Sequence, residues 1–250
     1  MNQRRTVGII GFGRFGQLVA KALTPLFDVY VCASHDRSDE AARIGCTFCT
    51  LEECSRQENV ILCVPISAME SALGRVCPHL VEGATVYDVC SVKTYPCRWL
   101  EKNVPEQCRI VGTHPLFGPD TAKNGLCGHK VVVCNPRDAP IGDVCSFLES
   151  LGLVVILSSP EDHDREMARS LALIHFLGRS LSVIGVCDVT ISTVTHERLL
   201  EIVEITNNDS SQLLIDMHVY NPFAAGVRKK MISELRSLDK KLTLQESIRT

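Results

Sequence analysis

The sequence predicts an α/β chain in which a mostly parallel sheet precedes an all-helical region. Three observations carry this reading. Residues 6–16, Thr-Val-Gly-Ile-Ile-Gly-Phe-Gly-Arg-Phe-Gly, place a short apolar strand directly before a glycine-rich turn and an amphipathic helix. Strand-like and helix-like segments then alternate to about residue 155. Beyond Ser158-Ser159-Pro160 the alternation stops, and apolar residues recur at helical spacing.

The first strand, 6–10, feeds Gly11-x-Gly13-x-x-Gly16. Gly11 permits the tight turn, Gly13 lets the backbone approach a pyrophosphate, and Gly16 lets helix and strand pack closely. In this strand–turn–helix context the three glycines form a Rossmann-type dinucleotide fingerprint, with Arg14 and Phe15 inside it. The N-terminus of the helix at 14–24 offers N–H groups and a positive dipole end to phosphates. Further strands are expected at 28–33, 46–49, 60–64, 84–90, 109–113, 130–134 and 153–157. Helices are expected between them at 38–44, 66–77, 95–102 and 140–151. This divides the chain into a dinucleotide-binding domain, 1–157, and a helical domain, 158–250.

In the helical domain the apolar stripe runs through Met167, Leu171, Ile174, Leu181, Leu199, Ile202, Val203, Leu213, Leu214 and Met217. A domain of about 90 residues is small to cover so many faces by itself. A homodimer is therefore expected, through helices containing Leu199 to Val203 and Leu213 to Met217.

Of the 250 residues, 45% are hydrophobic and 22% charged, enough for a substantial core. The net charge of −3 and the lack of a basic stripe argue against nucleic acid as a partner. No apolar run reaches the roughly 18 residues of a membrane span. The first strand starts almost at once, which leaves no room for a leader, so a cytoplasmic protein is expected. Thirteen cysteines sit mostly singly in apolar runs, as in Val31-Cys32-Ala33 and Leu62-Cys63-Val64. That suits small buried hydrophobes in a reducing compartment. Cys46-x-x-Cys49 with Cys54 has neither a second CxxC nor an HxxxH partner, so no metal is expected.

Two segments carry chemistry. Asp88-Val89-Cys90-Ser91-Val92-Lys93 follows an apolar strand and puts Ser91 at its C-terminal end, where open α/β sheets hold their ligands. Gly112-Thr113-His114-Pro115-Leu116-Phe117-Gly118-Pro119 follows the next strand, Arg109 to Val111, and puts His114 on the same rim. Pro115 biases His114 to an extended conformation, and a histidine so held can accept a proton near neutral pH. Taken singly, Ser91 also reads as a helix cap and His114 as an ordinary loop residue. At the end of the second strand, where an NAD-binding fold places an acid, stands Ser34. Ser34, His35 and Arg37 suit a 2′-phosphate, which favours NADP; a shift of two residues would make Asp36 the acid of an NAD site. Cys63 and Pro65 complete the expected cofactor contacts. His175 and Arg179 share one helix face, and also read as a core histidine and an interface arginine. His129, His163, His196 and His218 read as surface or interface residues.

These motifs, above all Gly-Thr-His-Pro-Leu-Phe-Gly-Pro, resemble the prephenate/arogenate dehydrogenase family of tyrosine biosynthesis, especially its plant-like arogenate branch. The resemblance continues through Ile174-His175-Phe176-Leu177-Gly178-Arg179, Glu197 to Glu204 and Asn208-Asp209-Ser210 to Tyr220-Asn221. It implies oxidative decarboxylation of arogenate or prephenate, with His114 as base or polarising partner of the ring hydroxyl and Ser91 hydrogen-bonding that hydroxyl or orienting His114 and the nicotinamide. It also implies no metal, a homodimer, His175 at the pocket wall and Arg179 near a substrate carboxylate. Asp120, next after the His-Pro loop, also reads as a turn cap; the resemblance makes it a candidate partner for the ammonium of arogenate. Many bacterial members carry a substrate-binding arginine where this chain has Glu204-Ile205-Thr206-Asn207-Asn208-Asp209, which leaves Arg179, Arg198 and Arg228 as open candidates for that charge. The rival readings are another hydride transfer, on a 2-hydroxy acid or an imine, and a silent dinucleotide sensor.

Overall fold

A computed structural model describes residues 4–248. The chain forms two compact units, Met1–His163 and Asp164–Thr250, set against an expected division at 157/158. The first unit runs β1 (Thr6–Ile10), α1 (Arg14–Leu23), β2 (Asp28–Cys32), α2 (Ser38–Ile44), β3 (Thr47–Phe48), α3 (Leu51–Ser55) and β4 (Asn59–Leu62). It continues with α4 (Met69–Val76), β5 (Thr85–Asp88), α5 (Thr94–Asn103), β6 (Arg109–Pro115), β7 (Lys130–Cys134), α6 (Gly142–Ser150) and β8 (Val154–Leu157). The helix α7 (Pro160–Arg169) crosses the division. All eight expected strands form one sheet in the order β3-β2-β1-β4-β5-β6-β7-β8.

Every pairing is parallel except β6 with β7. The buried runs are what a parallel sheet covered on both faces requires. In β1, Val7, Ile9 and Ile10 are all buried, and β4 and β6 repeat the pattern. Strand order reverses at β1, whose neighbours are β2 and β4. In such sheets the ligand crevice opens beyond the carboxyl ends of the strands at this switch.

Two local features depart from the expectations. The short helix α3 was not expected; it is held by a capping box in which Thr50 Oγ1 accepts from Glu53 N at 3.2 Å and Thr50 N donates to Glu53 Oε2 at 2.9 Å. The sixth strand runs on to Pro115, so His114 lies in a strand and not in a loop. The antiparallel partner explains it, because β7 pairs His114 with Val132 and Pro115 with Val131 beyond the point where the parallel neighbour β5 stops.

The second unit is helical throughout, with α8 (Leu171–Val183), α9 (Val194–Asn208), α10 (Ser211–Val219) and α11 (Ala224–Ser247). Thr193 and Ser210 cap α9 and α10 by accepting from His196 N and Leu213 N. Helices α8 and α9 approach closely at Gly178, where an added Cβ would lie 2.3 Å from Thr206 Oγ1. Val203 and Met217 face inward, while Ile205, Ile215 and Val219 on the same helices are exposed. Among the described residues no helix is long and apolar enough to cross a membrane.

Candidate active site

Backbone register alone assembles the site. Cys32, Ile10, Leu62, Asp88, Gly112 and Cys134 lie side by side across six strands. The residues that follow this row on β1, β2, β4, β5 and β6 therefore share one edge: Gly11, Ser34, Cys63, Ser91 and His114. Turns tie the edge together, with Gly11 N donating to Cys32 O at 3.0 Å and Cys63 N to Ile10 O at 2.8 Å.

The glycine-rich turn fits a dinucleotide. Gly11 has φ +100°, and a Cβ there would lie 2.3 Å from Cys63 O. A Cβ on Gly16 would lie 2.1 Å from Gly11 O. Gly13, by contrast, faces open space, and no side chain caps the N-terminus of α1 that it begins. Open room before an uncapped helix start is what a pyrophosphate needs. At the end of β2, Ser34 Oγ lies 3.0 Å from His35 Nδ1. Arg37 donates to Phe12 O at 2.9 Å and pairs with Glu40 at 3.1 Å, which fixes its guanidinium against the glycine-rich turn. Asp36 turns the other way and accepts from Ser38 N at 2.9 Å, a bond that holds its carboxyl below the usual range. Burial, followed by the charge of Asp88, pushes the Cys63 thiol up to about 12, so it stays neutral.

Beside this cradle stands a buried polar cluster. The Ser91 hydroxyl is buried and has no hydrogen-bond partner. It does not cap α5, whose N-cap is Lys93 with no side-chain cap bond. Lys93 and Asp88 form an ion pair with both side chains fully buried. Asp88 Oδ1 also accepts from Cys90 N at 2.9 Å, while Oδ2 has no partner. Lys93 donates as well to Thr113 O, which stitches the ends of β5 and β6 together next to His114.

His114 is 5% exposed, and its Nδ1 lies 2.8 Å from His163 Nε2. Burial, then the neighbouring His163 and Lys93, holds the His114 imidazole well below its ordinary 6.5. At neutral pH it is an uncharged ring able to accept a proton. The placement of His163 corrects the expectation of a surface or interface residue: it is 3% exposed within its own chain and paired with the proposed base. It lies in the first turn of a polar helix, Pro160-Glu161-Asp162-His163-Asp164, so no apolar pattern signals its burial, and its partner lies 49 positions away. His218 also lies inward of the surface, with Nε2 buried and Nδ1 3.1 Å from Arg228.

Asp120 accepts from Arg14 at 2.7 Å, which joins the segment after the His-Pro loop to the glycine-rich turn. In the helical unit, His175 and Arg179 meet at Asp209, as their shared face predicts. His175 Nε2 is 3.6 Å from the Asp209 carboxylate, and Arg179 donates to Asp209 O. The atoms His175 Nδ1 and Arg179 Nε are buried without partners. Burial lowers the His175 pKa and Asp209 opposes the shift. All thirteen cysteines are free thiols, and no group of His, Cys, Asp or Glu among the described residues is arranged to hold a metal.

Comparison with known proteins gives this geometry its context. Residues 26–157 match the family model described as prephenate dehydrogenase, nucleotide-binding domain. The chain is 32% identical over 251 residues to arogenate dehydrogenase 2, chloroplastic, of Arabidopsis thaliana, covering 94% of this chain and 69% of that protein. The chain belongs to the prephenate/arogenate dehydrogenase family. Another family relative, arogenate dehydrogenase 1, chloroplastic, of the same plant is 32% identical, but the match spans only 36% of its length. Residues 180–249 also match a model described as TYRAAT1-like, C-terminal domain. The fold is that of the family's solved structures. Prephenate dehydrogenase from A. aeolicus, in complex with hydroxyphenyl propionate and NAD+, superposes with a TM-score of 0.76 at 22% identity, covering 97% of this chain and 92% of that one. Synechocystis arogenate dehydrogenase gives 0.69 at 21%, covering 98% and 93%.

Proposed function

We propose that this chain oxidatively decarboxylates arogenate and passes the hydride to NADP. The observation that carries the reading is His114: a neutral imidazole at the C-terminal edge of the sheet, pinned through Nδ1. His114 Nε2 takes the proton of the substrate's ring hydroxyl. The carbon bearing that hydroxyl gives up its hydride, the bond to the ring carboxylate breaks, and carbon dioxide leaves as the ring becomes aromatic. Bound nicotinamide supplies the hydride acceptor. The unpartnered Ser91 hydroxyl is placed to hydrogen-bond the reacting hydroxyl, and the Gly11–Gly16 turn to hold the pyrophosphate.

NADP is favoured over NAD because the end of β2 carries Ser34, His35 and Arg37, while Asp36 is engaged at the start of α2. Arogenate is favoured over prephenate by the names of the plant relatives and by Asp120, whose carboxylate would attract the side-chain ammonium even while sharing its charge with Arg14. Arg179 and His175 are the proposed partners of a substrate carboxylate, since each has a buried nitrogen without a partner. A cytoplasmic, reducing setting suits thirteen free thiols. A homodimer through α9–α11 suits the exposed Ile205, Ile215, Val219, Leu235, Leu238 and Leu242. A monomer in sedimentation at micromolar concentration overturns the dimer.

The test is turnover of arogenate and prephenate with NADP and NAD. His114→Asn should keep cofactor binding and lose roughly 10²–10⁴-fold in kcat, and Arg37→Ala should erase the preference for NADP. A fully active His114→Asn enzyme removes the mechanism.

A further inference from the structure

We infer that His163 is a positioning residue that fixes the tautomer of His114 and shares the proton His114 takes. The inference rests on the reading of His114 as the base. Two neutral imidazoles joined Nδ1 to Nε2 hold one proton between them. If His114 Nδ1 carries it and donates to His163 Nε2, His114 Nε2 is bare and can accept. If His163 Nε2 carries it, the proton of His114 sits on its own Nε2, and the ring cannot act as a base toward substrate. His163 is thus the group that selects between a competent and an incompetent ring.

The scaffold holds both rings still. His114 lies inside β6, paired with Val132 of β7 just beyond the end of β5. The rings meet edge to face, 5.0 Å between centroids at 75°. The first turn of α7, which carries His163, is fixed by Ser159 Oγ accepting from Asp162 N at 3.1 Å. Contacts to α5 anchor it further: Thr94 Oγ1 donates to Pro160 O at 3.4 Å, and Arg98 lies 3.6 Å from Glu161.

The proton balance closes without another reactant. The substrate O–H bond breaks as His114 Nε2–H forms, then His114 Nδ1–H breaks as His163 Nε2–H forms. One proton has moved to His163, His114 is again neutral, and no electrons have changed hands in the relay. The titratable and charged groups that bear on His114 among the described residues are His163 from α7 and Lys93 from the β5–α5 connection, the latter paired with Asp88 on β5. β7 contributes apolar Val132 at the paired position.

Two variants of the full chain test this. His163→Phe removes the acceptor, and His163→Gln keeps one in its side-chain carbonyl. His163→Phe should lower kcat roughly 10²-fold, with KM and cofactor Kd within about threefold, and His163→Gln should recover at least tenfold of that loss. In both, the acid limb of the kcat–pH profile should move to higher pH, because His114 loses a neighbour that disfavours its charged form. Nitrogen-15 spectra of the resting protein should show His114 protonated on Nδ1 and bare on Nε2, and a tautomer mixture in His163→Phe. Unchanged kcat in His163→Phe, equal losses in both variants, or an unmoved pH profile overturns the inference. A resting His114 protonated on Nε2 overturns it too, independently of turnover. Full activity of His114→Asn instead overturns the reading beneath it.

Discussion

Replacing Lys93 by methionine tests how the edge of the sheet is held. The side chains of Lys93 and Asp88 are both wholly shut off from solvent. A methionine in place of Lys93 would fill similar space but leave the Asp88 carboxylate buried with one donor, Cys90 N, and Thr113 O without its ammonium partner. Removing one member of a buried pair costs about 3–5 kcal/mol, because the remaining charge has no compensation. Against a total stability of about 5–15 kcal/mol, that is a large fraction. For a chain of this size it corresponds to a fall in Tm of roughly 10 °C. The double variant Asp88→Asn, Lys93→Met removes both charges and should recover most of the loss, so urea denaturation of the four proteins forms a cycle with a large coupling energy. A loss below about 1 kcal/mol in Lys93→Met, or a double variant no better than the single, would refute the buried-pair argument. The pair has a pH signature as well. Burial is the largest single influence and opposes the charge on Lys93, but the charges of Asp88, Cys90 and Cys97 and the hydrogen bond to Asp88 together outweigh it, and the net pKa lies above the ordinary 10.5. Its contribution is therefore present below that value and is lost as pH rises through the raised one.

Three histidines give the opposite signature at low pH. Burial, the first cause in each case, depresses His114, His175 and His218 below 6.5, so they bind protons more readily unfolded than folded. Stability should fall as pH drops below about 6.5, by up to roughly 1.4 kcal/mol per pH unit for each histidine that stays neutral in the fold; equal urea midpoints at pH 7.5 and 5.5 would contradict this. A cavity of about 150 Å³, lined among others by Leu18, Ala22, Tyr87, Val144 and Leu148, lies between α1, α6 and the sheet. Ala22→Leu should fill part of it, raise stability by about 1 kcal/mol and leave kcat unchanged; destabilisation by more than that would mean the space is already closed.

Eight strands were legible in the chain alone, because each is a short apolar run bounded by turn residues, and hydrophobic period and turn chemistry are local properties. The glycine-rich turn was equally plain, since the roles of Gly11, Gly13 and Gly16 depend on backbone within a few residues. Ser91 and His114 could be picked out for a related reason: each stands at the carboxyl end of an apolar strand run, and parallel register brings such positions to one edge. What surrounds them came only from the folded arrangement. The antiparallel β7 turned the expected loop around His114 into strand. The charge on Lys93 is held by Asp88 in a site shut off from solvent, which a lysine five residues along a chain does not announce. His163 sits on a polar helix with its partner 49 residues away, and a hydrogen bond between distant side chains leaves no periodic trace in a sequence. Local pattern sets where the chain bends and which faces are buried; the protonation of a buried ring is set by whichever distant groups the fold packs against it.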